Sequence, residues 1–266
     1  YVGGTSGLIY GYVNDGFYTV DDFESFDTQA RTWKLKAGVV DSSPLSDTPR
    51  PGNAKFKKLT PVDPNSTNPY QLTEADRTVI GNTTPKFSGG FGLNATYKGF
   101  DLSMFFSYMY DFDVLNANKI MLTTWADNKD NNFLMDIASD KRWRNFDDMG
   151  NEIRYSPEIL AEFNKDATMW NPTSIGRPIS MSYAVEDGSF LRLSSATFGY
   201  TLPVAWTRKV GLNKVRFYVS GNNLFVLTGY SGYDPEVNIA TGLTPNIDYN
   251  RYPRSRTYTF GAQLTF

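Results

Sequence analysis

The side chains best equipped for chemistry in this 266-residue chain are arginines and aromatic rings rather than nucleophiles. It contains no cysteine and no histidine. Disulfides, thiolate nucleophiles, the commonest general base and the commonest zinc ligand are therefore excluded. No catalysis, cofactor or metal site is expected. What remains is recognition. Arg142 and Arg144 carry planar forks suited to bidentate pairing with acidic groups, or to a plain solvated loop face. Trp125, Trp143 and Trp170 offer flat apolar faces for stacking on sugar rings, or else anchors for a loop core or a partner contact. Tyr230 and Tyr233 sit in the phrase YSGYDPE, where Gly232 and Asp234-Pro235 also carry ordinary turn chemistry. Asp101 and Asp111 flank one polar strand face and make no catalytic pair.

These groups must be positioned by strands. From Tyr252 to Phe266 the chain reads YPRSRTYTFGAQLTF, with Tyr258, Phe260, Ala262, Leu264 and Phe266 on one parity and Thr257, Thr259, Gly261, Gln263 and Thr265 on the other. A period of two this clean predicts a strand with one apolar and one polar side. Residues 86–110 predict a hairpin. Phe87, Gly89, Phe91, Leu93, Ala95 and Tyr97 share a face with Phe100, Leu102, Met104, Phe106, Tyr108 and Tyr110 across a Lys98-Gly99 turn. Phe105 and Met109 interrupt the polar side. Two more strands run through Ala196, Phe198 and Tyr200 and through Val215, Phe217 and Val219, joined by a turn or short helix at Val204–Asn213. Leu8 to Tyr18 reads as a further strand, for about six wall strands, where a closed pore needs at least eight.

Mean hydropathy is −0.41 and no run has the apolar length of a membrane-spanning helix. Alternating strands average to neutral hydropathy, so a barrel in a membrane stays open. The 17 Tyr and 19 Phe suit interfacial girdles. A net charge of −2 with no basic stripe gives no nucleic-acid partner. The start at Tyr1, without Met or leader, fits a processed chain or a piece of a longer one.

The connections have unequal lengths. If the last strand runs inward, residues 229–251 and 111–186 become outer loops, and Lys98-Gly99 and Val204–Asn213 become short inner turns, as in bacterial barrels. The loop at 111–186 is too long for a plain connection and is expected to fold over a mouth or meet a partner, with a helix near Pro157–Asn164. Residues 21–84 read as outer loop with short β pieces. Tyr258, Phe260 and the terminal Phe266 are the expected barrel-assembly signal.

Several phrases occur together in order: YGYVNDGFY (10–18), PGNAKFKKL (51–59), DRTVIGNTTPKFSGGFGLNATYKGFDLSMFF (76–106), EDGSFLRLSSATFGYTLP (186–203), VRFYVSGNNLFVLTGYSGYDPEV (215–237) and YPRSRTYTFGAQLTF (252–266). In this they resemble the C-terminal end of SusC/RagA-type TonB-dependent transporters. The resemblance implies the last part of a 22-stranded antiparallel transmembrane β-barrel, an all-β fold with long extracellular loops, residues 1–266 forming that section. It implies outer-membrane import of glycans, peptides or similar nutrients. The implied partners are the remaining N-terminal barrel and plug, a SusD-like surface lipoprotein, TonB and outer-membrane lipid. No segment resembles a plug or a TonB box. Family members often carry an acidic, calcium-like loop after the PGxxKFKD phrase. Here Lys58-Leu59-Thr60-Pro61-Val62-Asp63-Pro64-Asn65 stands in its place, so no metal is carried over. The residue patterns alone leave two alternatives, a small self-contained outer-membrane pore or adhesin, and a soluble β-sandwich binding module.

Overall fold

A computed structural model of the chain describes residues 6–124, 133–138, 140–175, 178–237, 246–249 and 252–266. The chain divides into two units, one of residues 1–81 and 115–185, the other of residues 82–114 and 186–266.

The first unit is built of short elements: β1 (Leu8–Gly11), β2 (Asn14–Phe17), β3 (Phe23–Asp27), β4 (Thr32–Leu35), β5 (Ala54–Phe56), β6 (Thr78–Asn82), and two helices, α1 (Ala117–Met121) and α2 (Pro157–Phe163). The strands pair only in twos: β1 with β6, β2 with β5, β3 with β4. Residues 8–18 are therefore two short strands of this unit and not a wall strand, a correction to the reading above. Ile9 and Tyr12 are buried in the unit's own interior. Buried side chains with polar ends are anchored by local bonds. Tyr18 donates its hydroxyl to the Val40 carbonyl at 2.6 Å, and burial pushes its pKa up to about 12. Asp76, fully buried, accepts from the Leu59 and Thr60 amides at 2.9 and 2.7 Å and from the Thr60 hydroxyl at 2.6 Å, and pairs with Lys58 at 3.3 Å. Burial alone would raise its carboxyl, but the hydrogen bonds outweigh it and hold the group well below the usual carboxylate range.

The second unit is a sheet with an appended cluster. Its strands are β7 (Phe87–Tyr97), β8 (Phe100–Tyr110), β9 (Asp113–Asn116), β10 (Val185–Asp187), β11 (Phe190–Thr201), β12 (Lys214–Thr228), β13 (Ile247–Asp248) and β14 (Thr257–Thr265), with α3 (Val204–Thr207) between β11 and β12. Five of them form one antiparallel sheet in the order β14-β12-β11-β8-β7, and β10-β9-β13 form a second. Lys98 and Gly99 both take positive φ, 46° and 88°, so the hairpin closes in the two-residue turn whose twist matches the strands.

Register carries the apolar alternation from strand to strand. Leu93 faces Met104 and Tyr97 faces Phe100; Leu102 faces Phe198; Tyr200 faces Phe217; Val219 faces Phe260; Val215 faces Leu264. Every residue assigned to the apolar parity of these strands thus falls on one face of the sheet. A bulge at Ser194, opposed by Asn223 and Leu224 on β12, shifts the parity once and keeps Leu191 and Leu193 on that face. The opposite face is polar and crowded. Arg216 reaches across Gly199 to pair with Asp101, at 2.9 Å from its Nε, and any Cβ at Gly199 would collide with the guanidinium. Gly261 likewise lies under the Tyr218 ring and Gly90 under Phe105. Among the described residues β7 and β14 are the two edges of this sheet, and β14 pairs with β12 and with neither β1 nor β2.

Candidate functional site

Two features of the second unit stand out chemically. The first is the apolar face. Phe91, Leu93, Phe100, Phe198, Phe217, Tyr258 and Leu264 are exposed along it, as is Phe260 at 82%, and the terminal Phe266 is also exposed, at 83%. Single exposed apolar residues are ordinary, but a continuous face across five strands is not, and marks a surface made for an apolar medium or a partner. The second is a clasp under residues 230–237. Arg192, on the polar face of β11 and 3% exposed, pairs with Asp234 at 2.6 Å and with Glu236 at 3.3 Å, and also bonds Asn223. Arg254 holds Glu236 from the other side at 2.7 Å. The clasp was not evident in the sequence, because its partners lie 42 residues apart.

The clasp explains the two tyrosines. Tyr230 is buried with Phe112, Val114, Phe190 and Val237, its hydroxyl donating to Asp248 at 2.6 Å. Burial first, and then the Asp248 carboxylate, raise its pKa far above the ordinary range. Tyr230 is thus a packing residue and offers no ring to a ligand. Tyr233, at the tip of the same turn, is 80% exposed.

In the first unit the tryptophans are also inside. Trp143 packs with Ile153 and Leu160, flanked by Phe17, Trp33 and Phe163. Trp170 is fully buried against Tyr183, ring centroids 4.7 Å apart. Neither presents a face on which a sugar could stack, and this corrects the stacking expectation for both. Their apolar bulk is the main source of core in a unit with few long elements. Trp125 lies outside the described residues. Arg142 and Arg144 do come together, at the rim of a cavity of about 460 Å³ that they share with Arg50 and Arg154. Among the described residues no cluster of acidic side chains could hold a metal ion.

No family model matches the chain. Among curated proteins it is 32% identical over 266 residues to TonB-dependent receptor P3 of Formosa agariphila, a match covering 98% of this chain and 22% of that protein. It is 35% identical over 86 residues, 32% of this chain, to TonB-dependent receptor SusC of Bacteroides thetaiotaomicron, covering 8% of that protein. Among solved structures, the RagAB peptide importer in its open-open state superposes with a TM-score of 0.59 at 23% identity, over 97% of this chain and 22% of the matched one. A second RagAB peptide transporter structure gives a TM-score of 0.60 at 22% identity, over 99% of this chain and 23% of that one. At those identities the likeness is one of fold. The chain spans about a fifth of the length of its first relatives. Taken with a sheet that is apolar on one face and polar on the other, these matches make the chain a section of the β-barrel of a SusC/RagA-type TonB-dependent transporter.

Proposed function

We propose that residues 1–266 form the C-terminal section of the wall and the extracellular mouth of an outer-membrane nutrient importer. The observation that carries this reading is the five-stranded sheet, whose register aligns one unbroken apolar face and one polar face. Lipid covers the apolar face and a wet lumen the polar one. An open sheet is not viable in a bilayer, where each unpaired backbone group costs several kcal/mol. The edges β7 and β14 therefore pair with polypeptide from the rest of the same transporter, which also supplies the plug and the contact with TonB. The stretch 111–186 is read as an extracellular loop, within reach of a SusD-like lipoprotein. Tyr233 in the second unit and, separately, Arg142 and Arg144 in the first are the side chains offered to cargo or lid. The family relationship supports substrate import, and on this reading the chain serves as wall and mouth without a catalytic step.

Residues 1–266 hold no cysteine, so once any cysteine elsewhere in the transporter is replaced the added ones report alone. In the full-length transporter, single cysteines at Phe91, Leu102 and Phe260 are expected to react in intact outer membranes only with a membrane-partitioning maleimide. Cysteines at Ser103 and Thr259 should react with a water-soluble one. Equal labelling of both sets by the water-soluble reagent would sink the membrane reading in favour of a soluble β module. Tyr258, Phe260 and Phe266 serve as the assembly signal on this view. Deleting Phe266 should lower the assembled, heat-modifiable fraction while leaving synthesis unchanged, and normal assembly after deletion would reduce Phe266 to a girdle residue.

A further inference from the structure

The cavity of about 460 Å³ in the first unit is of the size that holds a small ligand or one unit of an oligomer. Four arginines line it, against one acidic residue, in a chain whose net charge is −2. The acid, Asp147, is consumed by its own turn, accepting from the Asn151 amide at 2.8 Å and the Met149 amide at 2.9 Å. Three of the arginines have carboxylate partners: Arg50 with Asp47 at 3.0 Å, Arg144 with Asp148 at 2.8 Å, and Arg154 with Glu152. Asp47 and Asp148 are largely in water, at 66% and 80% side-chain exposure. Exposed pairs of that kind contribute little and exchange readily. Arg142 has no carboxylate partner among the described residues. Its guanidinium donates a long 3.4 Å bond to the Ile137 carbonyl, and burial and then the neighbouring Arg144 charge both disfavour its cation. A ligand anion would relieve that repulsion.

The forks are also held in place. Arg144 lies over the Phe163 ring at 4.4 Å and Arg154 over Phe146 at 5.5 Å, so little guanidinium freedom remains to be lost on binding. Phe146 keeps 46% of its surface exposed in the cavity wall, a flat apolar face beside the cations. Trp143 lines the same cavity, and its indole N–H is buried with no acceptor among the described residues. Backbone donors here are already engaged. The Trp143, Arg144 and Asp147 amides bond to Met169, Asn164 and Asn151, which removes the free strand edge that an extended peptide would need.

We propose that this cavity binds an acidic sugar, with its carboxylate or sulfate held by Arg142 and Arg144 and its ring lying against Phe146. That the sugar is cargo rests on the importer reading; that it binds does not. The test is calorimetric titration of the purified full-length transporter with tetragalacturonate, a carrageenan tetrasaccharide, fully methyl-esterified tetragalacturonate and tetraglutamate. At least one of the two acidic saccharides should bind and the ester should not. Arg142→Gln should weaken that binding about tenfold or more. Arg142→Lys should fall between, since it keeps the charge and loses the fork. A heat-modifiability gel on each variant certifies the barrel. Failure of both acidic saccharides overturns the proposal, as does ester binding equal to acid, an unaffected Arg142→Gln, or a preference for tetraglutamate. None of those results touches the importer reading, which the cysteine labelling decides separately.

Discussion

Leu102→Arg and Leu93→Arg should each destabilise the assembled transporter by about 2–4 kcal/mol where the residue lies near the bilayer midplane. Asn94→Arg and Ser103→Arg, one position away in each strand, should be mild. The contrast follows from register. Leu93 and Met104 are cross-strand partners, as are Ala95 and Leu102, and all four sit on the apolar face. Asn94 pairs with Ser103 on the other face. A guanidinium on the lipid side must snorkel or deform the bilayer, whereas on the lumen side it meets water. Urea unfolding of the full-length protein in vesicles, followed by heat-modifiability, reads all four variants. Equal damage from the two sets would mean that the faces are reversed or that neither meets lipid.

The parts of the fold legible in the sequence were those where period and turn chemistry agree. The hairpin of β7 and β8 is such a case, since Lys98-Gly99 fixes the register and the apolar parity continues across the turn, with only Phe105 and Met109 breaking the polar one. The β12 strand was legible only to Asn222. It continues to Thr228 through a bulge that sets Asn223-Leu224 against Ser194. Phe225 and Leu227 keep the parity of Val215 to Gly221, whereas in β11 the extra Ser194 moves the apolar face from Ala196 to Leu193, a shift no period-two count follows. Residues 8–18 failed for a different reason. Leu8 to Tyr12 are apolar on both parities, Gly11 apart, and an apolar run reports that it is covered but not what covers it. The loop aromatics suffered the same ambiguity. Tryptophan supplies bulk to a poor core and flat surface to a ligand equally well, and burial decides for the core at Trp143 and Trp170. The arginines came nearest to a site legible from spacing, because Arg142 and Arg144 are neighbours in the chain. Arg50 joins them only through the fold.

Arg192→Met should cost the second unit about 3–5 kcal/mol, the usual result of removing one partner from a buried ion pair. Arg192 is 3% exposed and Asp234 8%, so the mutation leaves a desolvated carboxylate with no guanidinium. Glu236 retains Arg254, which lies in a wetter position and softens only part of the loss. Pairing Arg192→Met with Asp234→Asn removes both charges and should recover much of the stability, since the penalty belongs to the orphaned charge. Asp234 also accepts the Glu236 amide at 2.9 Å, a bond that Asn can keep. Hydrogen exchange over residues 228–237 localises the effect, and urea unfolding gives its size. A double variant as unstable as Arg192→Met alone would mean that Arg192 acts by packing its stem and not by its charge. The clasp also has a functional consequence under the importer reading. It holds the turn that displays Tyr233, so the single variant should loosen that part of the mouth while the alignment of β7, β8, β11, β12 and β14 persists.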